Sequence, residues 1–503
     1  MNMKTGKDNK LNAASLFHSM NVFNRFAIFL FAMAAVFVAA CSDDDSFTTS
    51  TSSVLTFSTD TLRLDTTFSK VPTPTKTFWV YNRSGDGIRL SNVRLEQGNQ
   101  TGFRVNVDGI YLGQASGYQV NGLEVRDKDS IRVFVELTSP ANGNVDPTLI
   151  EDNLIFTLES GVQQKVNLNA YSWDAELLKE VVVSSDSTIQ STKPIVIQGG
   201  ITVKEGATLT IGAGTVIYFS NSAGVDVHGR LKVDGTPDEN VVFRGDRLDW
   251  MFDYLPYDRV SGQWRGIRFH ETSYENEIAF ADIHSAYNGI VCDSSDVSRT
   301  TLTLKHSIVH NCQGYGLLAT NSRVDVSNSQ LTNTLNDCAA FFGGYTILSH
   351  CTLAQFYPFD GNRGAALRFG DKKGDNVYPL HQFDVLNTLI TGYSDNVIMG
   401  SFSDETVKNY KFDHSILRTG APKEIDANIY KDVIWEDVKD TVQFGEKHFV
   451  RIDAEKQSYD FHLRDKSKAR DAGYVLGNGT SATDRDGKAR TNTPDIGCYE
   501  FFE

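Results

Sequence analysis

The residues best suited to chemistry lie together in one stretch, Gly245 to Trp264, which reads GDRLDWMFDYLPYDRVSGQW. It sets Trp250, Phe252, Tyr254, Tyr257 and Trp264 among the carboxylates of Asp246, Asp249, Asp253 and Asp258 and the guanidinium groups of Arg247 and Arg259. Flat rings beside such groups suit a sugar, whose apolar C–H face stacks while its hydroxyls take directional hydrogen bonds. The candidate glycan-binding set is therefore Trp250, Phe252, Tyr254, Tyr257, Trp264, Asp253, Asp258 and Arg259. A loop folded back over the side of a larger body, with its aromatic rings buried, would use the same composition, and the sequence leaves both readings open.

The elements around this stretch are short strands. From Ile201 to Phe243 the chain places alternating apolar runs (Leu209, Ile211; Val216, Ile217, Phe219; Val225, Val227; Leu231, Val233; Val241, Phe243) between turns such as Gly212-Ala213-Gly214 and Asp234-Gly235. Period-two alternation in runs this short, punctuated by glycine, predicts strands and not helices. An apolar position recurs at Ile283, Ile308, Leu331 and Leu353 in steps of 25, 23 and 22 residues, then at Leu389 after 36 and at Ile416. Each step is one coil of a solenoid, and the long step predicts an outward loop from about Tyr357 to His381. The opening coils, VKEGATLTIGAGTVIYF, resemble right-handed parallel β-helix proteins of the pectate-lyase type. Before them, residues 54–172 carry about eight longer alternating strands and predict an antiparallel β-sandwich with Trp79 and Phe134 facing its core; this unit resembles immunoglobulin-like modules of bacterial surface proteins. The fold class expected is thus all-β, a right-handed parallel β-helix over residues 187–433 preceded by an antiparallel β-sandwich. The tail, residues 434–503, resembles at Phe461, Leu463, Asp471, Gly473, Asp486-Gly487, Arg490 and Asp495-Ile496-Gly497-Cys498-Tyr499-Glu500 the C-terminal module called choice-of-anchor Q, expected to close the far end of the coils.

The β-helix resemblance does not bring an activity with it. The Asn-Thr-Asp, Asp-Asp, Gly-His-Gly and Arg-Ile-Lys motifs of polygalacturonase-like hydrolases are missing, as is the arginine motif of pectate lyases; His228-Gly229 has the wrong neighbours. His284 and His310 fall near equivalent places on successive coils, but an Ile283/Ile308 register sets them one position apart, as polar residues on an exposed face. Asp360, Arg363, Arg368, Asp371, Lys372, Lys373, Asp375 and His381 read as a solvated loop, and Asp484-Arg485-Asp486-Gly487 lacks the later ligands of an EF-hand and reads as a turn. Cys292, Cys312, Cys338, Cys351 and Cys498 are odd in number and without CxxC spacing, so neither a metal site nor a cofactor is expected; small buried residues or a Cys312–Cys338 disulfide are the alternatives.

Residues 27–40, AIFLFAMAAVFVAA, are too short an apolar run to span a bilayer and have the proportions of a signal-peptide core. Val38-Ala39-Ala40-Cys41 matches a lipobox, which makes residues 1–40 a lipoprotein signal peptide, Cys41 the lipidated residue and 41–53 an acidic tether. The acidic run Ser42-Asp43-Asp44-Asp45 resembles the tag that sends some lipoproteins to the outer face of the outer membrane, so an outer-membrane, surface-exposed location is expected. Loss of residues 1–40 removes four basic groups (Lys4, Lys7, Lys10, Arg25) and one acid (Asp8) and takes the net charge from −15 to −18. That balance argues against nucleic acid as a partner and leaves the membrane, through the anchor, and a polysaccharide or host glycan. The function expected is a surface-anchored, non-catalytic glycan- or host-binding lipoprotein; the alternative is a polysaccharide lyase or glycoside hydrolase. Acyl chains contribute about 0.8 kcal/mol per buried CH₂. Cys41→Ala is therefore expected to leave the membrane fraction and to stop incorporating labelled palmitate; a variant that keeps both overturns the lipobox reading.

Overall fold

In the computed structural model the described residues are 46–144, 146–404, 406–477 and 479–503. The apolar segment 27–40, Cys41 and the acidic residues to Asp45 lie outside them. The chain divides into two compact units, one holding the described residues up to Leu62 with Thr75–Glu136 and Asp152–Leu168, the other Arg63–Pro74, Leu137–Glu151 and Asn169–Glu503.

Two sheets make up the N-terminal sandwich. One orders Leu55–Phe57, Lys76–Asn82, Ser130–Leu137, Phe103–Val107 and Ile110–Tyr111; the other is built on Thr61–Phe68, Gln163–Trp173, Thr148–Leu158 and Ile88–Leu95. Alternation buries Phe78 and Val80 on one strand and Val133 and Val135 on its antiparallel partner. Trp79 and Phe134, expected in the core, therefore face out, 39% and 36% exposed. Trp79 lies in an unbroken apolar run, Phe78 to Tyr81, in which the sequence cannot fix which parity points inward, whereas Phe134 shares the parity of Arg132 and Glu136, which marks it as outward. Outside, the Arg132 guanidinium lies 5.2 Å from the Trp79 ring centre and 5.0 Å from that of Phe134, so the rings serve cation–π contacts.

The second unit is a parallel β-helix with three strands per coil. One face stacks Val225–Val227, Ile267–Phe269, Ile290–Cys292, Leu317–Thr320 and Ala339–Phe342. The next stacks Val241–Gly245, Ala281–His284, Ile308–Cys312, Gln330–Thr334 and Thr352–Gln355. The third is a ten-stranded sheet running from Ser187–Ile189 to Tyr430–Lys431. Inward residues from Val183 to Leu417 form one continuous apolar core, each full burial contributing about 1.5–3 kcal/mol. Within it Phe219 stacks on Trp264 with ring centres 4.3 Å apart and planes at 7°.

Three expectations change. The coils begin at Glu176–Val183, which pairs in parallel with Ile195–Val203, and not at Ser187; the charged pair Lys179-Glu180 had disguised this strand as a junction. The Tyr357–His381 segment is not one outward loop, because its Leu367–Gly370 strand joins the sheet, leaving only residues 358–364 and the hairpin of Lys372–Lys373 with Asn376–Val377 to project. All five described cysteines are free and buried, so Cys312 and Cys338 are not bridged; burial pushes each of these two thiols up to about 12.

A corner residue in the left-handed region marks successive coils: His306, Asn328, His350, Asn387 and His414, with φ between 45° and 50°. The C-terminal module binds this column and so lies along the flank of the coils, not only across their end. The His306 Nδ1–H donates to the Asp484 carbonyl (2.8 Å), the Asn328 amide to that of Thr480 (2.8 Å) and the Asn387 amide to that of Tyr474 (2.7 Å). Inside the module Arg490 and Glu500 form a fully buried ion pair at 3.1 Å.

Asp495 gives the module a pH dependence. Burial, with the nearby Glu500 charge adding to it, raises its carboxyl to about 6, although it accepts the backbone N–H groups of Asp471 and Phe501 at 2.6 Å each. A carboxyl whose pKa is raised by folding stabilises the native state at low pH, and that contribution fades as pH rises through the folded value. The stability advantage of the native protein over Asp495→Asn should fall between pH 4 and pH 7 by an amount on the order of 3 kcal/mol, read as a shrinking difference in melting temperature. A difference that does not change with pH, measured by thermal denaturation, contradicts this assignment.

Candidate functional site

The ladder between Ala281–His284 and Ile308–Cys312 pairs Asp282 with Ile308, Ile283 with Val309 and His284 with His310. The step between these coils is therefore 26 residues, not 25, and the two histidines are level. Ile308 and Val309 are adjacent apolar residues, and the inward one is Val309. With Ala281 and Ile283 buried in the core, Asp282 and His284 must point outward beside Ile308 and His310. The imidazole ring centres lie 4.8 Å apart.

This outward column forms the floor of a cleft of about 400 Å³. One wall is the end of the aromatic insertion, Asp258 and Arg259; the other is the antiparallel hairpin Phe449–Asp453 with Ser458–Leu463, which presents Arg451, Tyr459, Asp460 and His462. Phe461 packs inward against Phe449 and Phe356, which fixes the hairpin; alternation sets Asp460 and His462 on its opposite face, whereas Tyr459 shares the Phe461 face, its ring stacked 6.2 Å from that of Phe461, and reaches the cleft from there. Tyr499 closes the back, its phenol donating to Gln330 Oε1 at 2.9 Å.

The floor is a charge relay of short contacts. His284 Nδ1 lies 2.9 Å from Asp282 Oδ1 and its Nε2 2.9 Å from Asp258 Oδ1, while His310 Nε2 is 3.1 Å from the same Asp282 oxygen. Arg244 adds a contact of 2.8 Å to Asp258. Burial alone would lower the His284 pKa, but the charge of Asp282 and the hydrogen bonds to both carboxylates outweigh it and raise the imidazole to about 9. Burial would likewise raise Asp282 and Asp258, yet His284 and His310, with Arg244 for Asp258, hold both carboxyls well below the ordinary range. Across the cleft His462 sits between Asp486 (2.9 Å) and Asp460 (2.6 Å), its pKa raised chiefly by the Asp486 hydrogen bond.

Other groups here are left for a ligand. The Tyr459 hydroxyl is buried without a hydrogen-bond partner. Among the described residues neither Arg259 nor Arg451 is ion-paired; Arg259 bonds only the Lys456 carbonyl, at 3.4 Å. A buried donor without a partner costs free energy until something fills the space.

The sequence-derived glycan set is divided by the structure. Asp258 and Arg259 line the cleft. Trp250, Phe252 and Tyr254 stand 49%, 54% and 57% exposed on or beside a small hairpin, with Asp253 at its turn; the Phe252 and Tyr254 rings stack at 5.7 Å. Tyr257 covers the Arg247 guanidinium at 3.7 Å from its ring centre. Trp264 is 1% exposed inside the coil core and donates its indole N–H to the His284 carbonyl, so its faces are closed to any sugar. Asp282, His284, His310, Arg451, Tyr459, Asp460 and His462 were not in that set. A 26-residue repeat count would have aligned the histidines, whereas no spacing in the sequence brings residues 451–462 onto this coil.

A family model described as right handed beta helix region matches residues 179–357, and the parallel ladders agree with it. No curated protein matches the chain. Among solved structures, the catalytic unit of a thermostable GH87 alpha-1,3-glucanase from Streptomyces thermodiastaticus is 10% identical over 67% of this chain and 79% of its own, with a TM-score of 0.21. A family 123 glycoside hydrolase from Clostridium perfringens is 7% identical over 24% of this chain, which spans 26% of that enzyme, with a TM-score of 0.16. The ASH / PapD-like domain of human CEP192 is 9% identical over 24% of this chain and 87% of its own, also at 0.16. Likenesses at these scores carry no functional argument.

Proposed function

We propose that the protein binds a glycan in the cleft between the coil wall and the C-terminal hairpin, and that a lipid on Cys41 holds it at the cell surface for this purpose. The observation that carries the reading is the meeting, in one cleft, of the unpartnered Tyr459 hydroxyl with the unpaired Arg259 and Arg451. Among the described residues the Tyr459 hydroxyl and the Arg451 guanidinium have no protein acceptor and Arg259 has only the Lys456 carbonyl at 3.4 Å, and hydroxyl and ring oxygens of a saccharide supply acceptors. Trp250, Phe252 and Tyr254 give a chain that leaves the cleft exposed rings on which to stack.

The second reading, a polysaccharide lyase or hydrolase, is favoured by three carboxylates (Asp258, Asp282, Asp460) and three histidines lining the same cleft. Two-carboxylate hydrolysis needs one carboxyl held protonated as the acid, by a raised pKa. Asp258 and Asp282 are instead held ionised by His284, so neither of these two is the protonated acid.

Passing the protein without its lipid over immobilised polysaccharides, and assaying eluates for new reducing or unsaturated ends, separates the readings. Retention without new ends is expected. Arg259→Ala with Tyr459→Phe should weaken it by about 10-fold or more, the scale of losing one or two hydrogen bonds to a charged or buried group. Ends that appear and vanish in Asp282→Asn would establish the enzyme; failure of every polysaccharide to bind, or equal retention by the double variant, would refute the cleft.

A further inference from the structure

We propose that Asp282, His284 and His310 form a binding site for a divalent transition-metal ion, of the zinc class, on the floor of the cleft. The proposal stands independently of glycan binding. Their three ligand atoms lie within 4.8 Å of one another. Two imidazole nitrogens converge on a single carboxylate oxygen, His284 Nδ1 at 2.9 Å and His310 Nε2 at 3.1 Å from Asp282 Oδ1. For bonds of about 2.0–2.2 Å to nitrogen and oxygen, neighbouring ligand atoms on one ion stand roughly 3 Å apart in octahedral and 3.4 Å in tetrahedral geometry. The two contacts already have the lengths of such edges.

The group beyond these three argues for an ion more strongly than the three themselves. A metal-bound histidine characteristically gives its other ring N–H to a carboxylate, which fixes the ring and makes the bound nitrogen a better donor. His284 is set up in this way: Asp258 takes Nε2 at 2.9 Å and leaves Nδ1 facing Asp282 and His310. Asp258 is anchored in turn by Arg244 at 2.8 Å. Binding displaces to solvent the protons that His284 Nδ1 and His310 Nε2 give to Asp282 and leaves the His284 Nε2–H on Asp258. Two imidazoles and one carboxylate suit zinc and its neighbours better than magnesium or calcium, which prefer oxygen, and three protein ligands leave a coordination position open toward the cleft.

The ladder explains why no sequence motif announces the site. Asp282 and His284 are two apart on one strand and share a face; His310 is brought level by the next coil, 26 residues on. The Asp413, His414 and Asp432 group is similar in composition, but His414 Nδ1 contacts Asp413 at 2.6 Å and its Nε2 reaches Asp432 only at 3.5 Å, so its one imidazole is spent between two acids. It serves as the control.

The test is calorimetric titration of the chelator-treated protein with Zn²⁺, with visible absorption of the Co²⁺-loaded form reporting ligand geometry. One ion per chain at micromolar or tighter affinity is expected, with cobalt bands that zinc displaces. His310→Ala and Asp282→Ala should weaken binding at least 100-fold. Asp258→Asn, which keeps all three ligands, should weaken it about 10–100-fold. His414→Ala should bind as the native protein does. Circular dichroism and melting establish that each variant is folded, and His310→Gln replaces His310→Ala if the latter is not. No zinc uptake by the native protein, or unchanged affinity and stoichiometry in folded His310 and Asp282 variants, overturns the proposal.

Discussion

Each coil of this protein is hydrogen-bonded to the next through parallel strands in register, and everything else follows from that constraint. Because side chains alternate along a strand, register decides which residues of every coil enter the core and which stand outside, and a slip of one residue would exchange the two sets. On the inside it stacks Phe219 against Trp264 and lines up columns of Val, Ile and Leu. Outside, it sets His310 beside His284 and both above Asp282, so a cluster with binding chemistry results from the same ladder that builds the core.

The C-terminal module depends on the ladder too. It recognises corner residues spaced one per coil, His306, Asn328 and Asn387, by hydrogen bonds from their side chains to its carbonyls. Apolar groups behind those contacts, Phe449, Phe461, Ile496 and Tyr499, cover outward residues of the coils such as Leu389 and Ile416. The same packing places Arg451, Tyr459 and His462 opposite the histidine column. Stabilisation of the flank and construction of the cleft are one arrangement, which is why a module that looks purely structural supplies half of a site.

Much of the fold was legible because its signals are local. Alternation in Leu209-Thr210-Ile211 or Leu231-Lys232-Val233 marks strands, and glycine turns mark corners. Parity was not legible where two apolar residues adjoin: Ile308-Val309 hid the level histidines, and Phe78-Trp79-Val80 hid the outward Trp79. The aromatic insertion was found as a feature, but its residues serve different ends, Trp264 in the core, Tyr257 over Arg247, and Asp258 and Arg259 in the cleft. Nothing local separates a tryptophan that ends an insertion from one that begins the next coil. The opposite wall was illegible for another reason, since the meeting of residues 451–462 with residues 258–310 is a tertiary contact with no trace in spacing.

The central claim, that the cleft and not the exposed rings is where a glycan is recognised, is tested most directly by a crystal structure of the protein soaked with an oligosaccharide derived from a polysaccharide it retains. The account predicts sugar density in the cleft with oxygens within hydrogen-bonding distance of Tyr459 Oη and of the Arg259 or Arg451 guanidinium. Density stacked on Trp250, Phe252 or Tyr254 with none in the cleft would contradict it.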